Sequence, residues 1–411
     1  MRISYENGMI LVLVVLFALC LLGLTLVAPR AACVAWILAL ETSPEDWLAG
    51  LIGGHETMIG AMKAFGLVLV VALGVQAGWR RDRVNPGFAF GFMFLAGLVH
   101  GLYPGLTLLG SLRSLAGSAG PFMFGFVRMP ERVVRAVRLA VVFGPLVCVG
   151  FGALLAAAGL GHLYVLEQGA LRLGGSGEPA FLAGFALIGV YAGVMACLSA
   201  PSRAQVAMVG VNLLIILLTG ARVPLVLALG ITLSILIMQR RVLALAAVGA
   251  AAALVAMFWN ALGFLRVVDL VQLGEAANLS NRELVWPYFQ AAFSASPVFG
   301  WGVGAGKVII PVASPLGTMI GTNAAHDEYL RIGAEGGAVG LALLMGLMAL
   351  WVRHGTAALP RPQAWAMGLI FAAFAVHSAT DNTMIATTGS VFFIWVSSIF
   401  ATASEGTKPP A

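Results

Sequence analysis

The chain has 411 residues, 60% of them hydrophobic and only 10% charged, where a soluble domain carries about 25% charged residues. With a mean hydropathy of +0.98, these figures exclude a soluble enzyme, a disordered chain and a nucleic-acid binder. The net charge of +6 is therefore read by the membrane side its residues occupy, not as a basic surface for nucleic acid.

Apolar runs of about 20 residues recur along the whole length, which predicts an all-α, polytopic membrane protein and argues against a barrel of short alternating strands. The N-terminal MRISYENG leads straight into an apolar stretch too long for a signal-peptide core, predicting an uncleaved first span at 8–28. The apolar piece 31–40 is too short to cross and is expected to be re-entrant or interfacial. Spans follow at 57–79, 87–103 and 104–126, the last carrying Arg113 and several glycines and so open to a break. Further spans fall at 139–160, 180–199, 203–219, 223–239 and 241–261. After the long hydrophilic stretch 262–336 come 337–352, 364–380 and 384–402, making about 12 in all. Residues 1–411 are thus expected to form a single integral membrane domain, and the tail 404–411 a short disordered end. Cys20, Cys33, Cys148 and Cys197 all lie in apolar stretches without paired spacing and read as small core residues.

Placing both termini in the cytoplasm puts Arg80, Arg81, Arg83, Arg128, Arg132, Arg135, Arg138, Arg240, Arg241, Arg353 and Arg361 inside, while the outside segments are richer in acid. Residues 262–336, about 75 residues, then face outside. Long loops on a rigid scaffold are where function concentrates.

Three patches on that outer face could carry chemistry. In Leu217-Leu-Thr-Gly-Ala-Arg222-Val-Pro224, the arginine at a span-end turn either snorkels to head groups or forms an anion site, since a guanidinium fits phosphate bidentately. The second patch joins Asn281-Arg282-Glu283-Leu-Val-Trp286, expected as an amphipathic helix from about residue 280 to 293, to a turn containing Gly300, Gly302, Gly304, Gly306 and Lys307. Backbone amides at Gly302 and Gly304 are candidates to approach a ligand. The turn is not a Walker loop, because Trp301 and Val308 stand at required positions. The third patch, Asn323 to Gly337, reads as a helix placing His326 and Tyr329 on one face, with Arg331 and Glu335 paired and a kink at the glycine pair. His326 is either a satisfied structural side chain or a general base suited to neutral pH. No second His or Cys stands at ligand spacing, so no metal is expected there. Asp381, ending the eleventh span, is either a turn residue or a partner that orients a base.

Taken in order, LLTGAR, NRELVW, SPVFGWGVGAGK and HDEYLRIGAEGGAVGL resemble the bacterial O-antigen ligase and Wzy-type polymerase superfamily over about residues 205–385. The resemblance implies a GT-C-like helical architecture with the long loop in the periplasm and carrying short helices, in the bacterial inner membrane. It implies a glycosyltransferase without cofactor, metal or ATP, in O-antigen or exopolysaccharide assembly. The donor is a glycan on undecaprenyl diphosphate, and the acceptor is lipid A-core for a ligase or another lipid-linked glycan for a polymerase. It further implies that Arg222 and Arg282 bind the diphosphate and that His326 orients or deprotonates the acceptor, with Asp381 or Glu328 tuning it. Tyr329 either stacks on a sugar or packs. Ala221, Val223, Pro224 and Asp327 depart from the usual pattern but leave the charged positions intact. A transporter or flippase for a lipid-linked glycan is the competing class, and would be expected to place ionisable residues at mid-membrane.

Overall fold

The computed structural model describes residues 16, 19–20, 22–47, 55–167, 170–241, 249, 284–320 and 323–405. Much of the first and ninth expected spans, Arg282 and the tail lie outside the described residues. The described chain is mostly helical, with one small sheet.

Ten helices match expected spans in order: α2 (His55–Ala77), α3 (Gly87–His100), α4 (Leu108–Met123), α5 (Glu131–Ala157), α6 (Pro179–Ser199), α7 (Arg203–Thr219), α8 (Arg222–Met238), α11 (Glu328–Ala357), α12 (Arg361–Ser378) and α13 (Thr387–Glu405). They are joined by α1 (Pro29–Glu41), α9 (Trp286–Ala295) and α10 (Pro315–Ile320). Three are both long and apolar enough to cross a membrane, α5 with 27 residues, α6 with 21 and α11 with 30. Shorter apolar helices such as the 14-residue α3 rise about 1.5 Å per residue and fall short of a hydrocarbon core of about 30 Å. The expected break in 104–126 resolves into a turn at Pro104 and Gly105 ahead of α4, which is capped by the Thr107 hydroxyl accepting from Gly110 N–H at 3.0 Å. α5 begins eight residues before the expected span at 139, because Glu131 and the arginines after it are good helix formers and extend it by two turns, with Val133 and Val137 buried on one side.

Contacts group the described residues into two compact units. The first draws on residues 1–59, 131–273 and 360–373. Its centre is α6, apolar on every face and buried from Leu182 through Ala196, as such a helix must be. α5, α7 and α8 pack around it, and α1 packs on α5. A hairpin not expected from the apolar pattern, β1 (Tyr164–Glu167) with β2 (Ala170–Leu173), fills the connection before α6, with Tyr164 paired to Leu173. Its strands of four residues each are too short to register as a periodic element.

The second unit draws on residues 60–130, 274–359 and 374–411. Its core stacks Phe122 against Phe90, Trp351 and Phe393. Asp82 accepts from Trp351 Nε1 at 3.0 Å, tying the α2–α3 connection to α11.

Candidate functional site

In the second unit, the glycine-rich turn and the broken α11 are two halves of one device. Gly337 interrupts α11 at φ 62°, ψ −167°. A break leaves carbonyls orphaned on one side and N–H groups on the other. The turn supplies both sets of partners. Trp301 and Gly302 N–H donate to the carbonyls of Ala334 and Glu335 at 3.0 and 2.9 Å, while Ala338 and Val339 N–H donate to Pro297 and Val298 at 2.8 and 3.1 Å. Gly302 and Gly304 have φ of 84° and 96°, and a Cβ would meet Leu102 at 2.8 Å at the first and Ser114 Oγ at 2.6 Å at the second. The Gly302 amide, expected to face a ligand, instead gives its proton to Glu335. These glycines are explained by close packing of protein on protein.

Beneath the turn lies an ion triad. Arg331 Nε contacts Glu328 Oε2 at 2.5 Å and its Nη1 contacts Glu335 Oε2 at 2.8 Å, with all three side chains at most 4% exposed. The expected Arg331–Glu335 pair is present, and Glu328 completes it. Glu328 Oε1 also accepts from the backbone N–H of Met384 and Ile385 at 2.7 and 3.2 Å, and Lys63 Nζ donates to Ile385 O at 3.1 Å. Glu328 is therefore committed to the loop after α12 and does not tune His326.

That loop brings Asp381 and Asn382 to His326. The helix expected from Asn323 onward starts only at Glu328, because the Asp327 carboxylate caps it, accepting from Tyr329 and Leu330 N–H at 2.9 and 3.1 Å. His326 precedes the cap at φ 49°, a conformation uncommon for a non-glycine residue. It does not share a helical face with Tyr329, whose hydroxyl donates to Ala375 O at 2.8 Å and so anchors α11 to α12. His326 N–H donates to Asn382 Oδ1 at 3.0 Å. Its ring Nδ1 lies 3.5 Å from Asp381 Oδ1 and 3.3 Å from Asn382 Nδ2. Asp381 Oδ2 lies 3.7 Å from His377 Nε2. Burial pushes the Asp381 carboxyl upward, but the His326 ring as hydrogen-bond partner and the charges of His377 and His326 outweigh it and bring it down to about 2. It is ionised at neutral pH. His326 and Asp381 keep side-chain exposures of 27% and 35%, enough to meet a substrate.

Trp286 places the segment before His326. Its Nε1 donates to Ala325 O at 3.1 Å, and Val285, Phe289, Ala292, Ile309, Ile310 and Ala325 form the core beneath. α9 begins at Trp286, and the expected start near residue 280 lies outside the described residues.

Arg222 belongs to the first unit. Thr219 ends α7, Gly220 turns the chain at φ 66°, and Arg222 opens α8 behind Ala221. Arg172 of β2, buried, donates from Nε to Thr219 O at 2.7 Å and braces the turn, a role with no signal in the sequence. A cation on the first turn opposes the helix dipole, so an anion there would meet both the guanidinium and the positive end of the α8 dipole.

With this geometry in place, residues 207–345 match the O-antigen ligase family. The matched segment is about a third of the chain. It contains Arg222, Arg282, His326 and Tyr329 and stops short of Asp381. No curated protein matches the chain. The match to the O-antigen ligase family and the long apolar helices together support a membrane enzyme of the ligase or polymerase type.

Proposed function

We propose that the protein transfers a glycan from undecaprenyl diphosphate to an acceptor hydroxyl on the periplasmic face of the bacterial inner membrane, as a ligase onto lipid A-core or as a polymerase onto another lipid-linked glycan. The observation that carries this reading is the partly exposed His326, inside the segment that matches the O-antigen ligase family, with the ionised Asp381 at its Nδ1. When Nδ1 carries its proton toward Asp381, the Nε2 lone pair is available as a base. The acceptor oxygen then attacks the anomeric carbon as its proton passes to Nε2. The bond from that carbon to the diphosphate breaks, and undecaprenyl diphosphate leaves with the electron pair. Arg222 and Arg282 stabilise its charge. The diphosphate is already a good leaving group, so the step draws on no ATP. The membrane domain is read as one body of about 12 spans with both termini in the cytoplasm, as the arginine distribution supports.

The test is transfer by the purified protein in vesicles supplied with a polyprenyl-diphosphate glycan. His326→Ala and Arg282→Ala should each abolish transfer without changing membrane insertion, and a fully active double variant would overturn the assignment. A deletion strain separates the two acceptors. Lipid-linked polymer accumulates if a ligase is lost, and single lipid-linked repeats accumulate if a polymerase is lost. Unchanged surface glycans would favour a lipid-linked glycan transporter.

A further inference from the structure

Asn382 contacts His326 at two points with opposite polarity. Its Oδ1 accepts the His326 backbone N–H at 3.0 Å. A backbone N–H can only donate, which fixes the orientation of the amide and turns Nδ2 toward the ring, where it lies 3.3 Å from Nδ1. Asp381 Oδ1 faces the same Nδ1 at 3.5 Å. An amide N–H is satisfied only by a bare Nδ1, which puts the ring proton on Nε2. A carboxylate is satisfied only by a protonated Nδ1, which leaves Nε2 bare. A charge-assisted hydrogen bond is roughly twice as strong as a neutral one at equal length, but here the carboxylate is the more distant partner. We propose that Asn382 is a positioning residue that opposes Asp381 and holds the neutral His326 ring between its two tautomers, so that Nε2 can present either an N–H donor or a lone pair to the substrate.

The rest of the surroundings leaves this balance to those two residues. Arg331 is paired with Glu328 and Glu335, whose other oxygens accept from the backbone at Met384, Ile385 and Gly306, and Asp327 caps α11. His377 acts on the far oxygen of Asp381, and the Lys63 ammonium sits on the Ile385 carbonyl. The same amide also anchors the left-handed backbone of His326, so one side chain fixes both the place of the ring and the site of its proton.

The inference rests on the reading of His326 as the group that meets the acceptor, but its test needs no substrate. Histidine labelled with nitrogen-15 reports the tautomer of each ring in the full-length protein in vesicles, at a pH high enough for the rings to be neutral, with His326 assigned by its disappearance in His326→Gln. In the wild type the His326 nitrogens should show a mixture of both tautomers. Asn382→Asp keeps an acceptor for the backbone N–H and removes the donor, so the ring should move to the Nδ1–H form. Asp381→Asn should move it to the Nε2–H form. A wild-type ring already in a single tautomer, or one unchanged by Asn382→Asp, would overturn the proposal. Failure of the transfer reading is seen separately, as unimpaired transfer by His326→Ala.

Discussion

Replacing Gly337 with alanine tests whether the break in α11 is required by the fold. The backbone at φ 62°, ψ −167° lies in a region that essentially only glycine adopts and costs an L-residue about 1–3 kcal/mol. The new Cβ would stand 2.3 Å from the carbonyl carbon and oxygen of Val298, backbone atoms that cannot rotate away. Relieving that contact moves the turn and weakens the bonds from Ala338 and Val339 N–H to Pro297 and Val298, each worth about 0.5–1.5 kcal/mol net. The sum is about 2–6 kcal/mol. Gly346 is the control, on the same helix with nothing within 4 Å of its Cβ position. Alanine there should be neutral or stabilising by about 0.5–1 kcal/mol, since glycine in a helix interior costs that much. Thermal unfolding of the detergent-solubilised protein, followed by tryptophan fluorescence, should show Gly337→Ala melting well below the wild type and Gly346→Ala at or above it. Equal melting temperatures for the two variants would refute the clamp.

Removing Arg331 should be among the most damaging single changes, because Arg331→Met leaves the Glu328 and Glu335 carboxylates buried without their cation. The loss is about 3–5 kcal/mol, and the triple variant with Glu328→Gln and Glu335→Gln should recover part of it in the same melting assay. Ala221 caps α8 without a side-chain hydrogen bond, so Ala221→Ser should raise stability by roughly 0.5–2 kcal/mol, read as a higher melting temperature. The Asp381 carboxyl, held at about 2 against an ordinary 3.8, contributes stability that is fully present above about pH 4 and is lost as the pH falls toward 2. Asp381→Asn should flatten that part of the acid-unfolding curve, and an unchanged curve would show that the carboxylate contributes nothing to the native state.

How much of this was legible in the residues differs by element. The long apolar runs reported the helices, because burial in lipid or in a protein core demands the same side chains over the same length. The Arg331–Glu335 pair and the kink at the glycine pair were legible too, since both depend on neighbours within one helix. The turn motif around Arg222 and the order of the later motifs were enough to bring out the resemblance that the O-antigen ligase match over residues 207–345 supports. Other features depend on partners far away in the chain. His326 looked helical because its spacing to Tyr329 is helical, but the Asp327 cap starts the helix after it and Asn382, 56 residues on, holds its backbone. Glu328 looked like a tuning group for His326, yet it is spent on the backbone of Met384 and Ile385. The glycines looked like a ligand loop, because glycine permits any close approach and a sequence does not say what approaches. Arg172 gave no signal, because its partner is a carbonyl, which every residue carries. The sequence determined which residues bear charge and where helices run. Tertiary structure alone decided which carbonyl, carboxylate or amide each of those charges meets, because hydrogen-bond partners across a fold are set by distance in space and not by spacing along the chain.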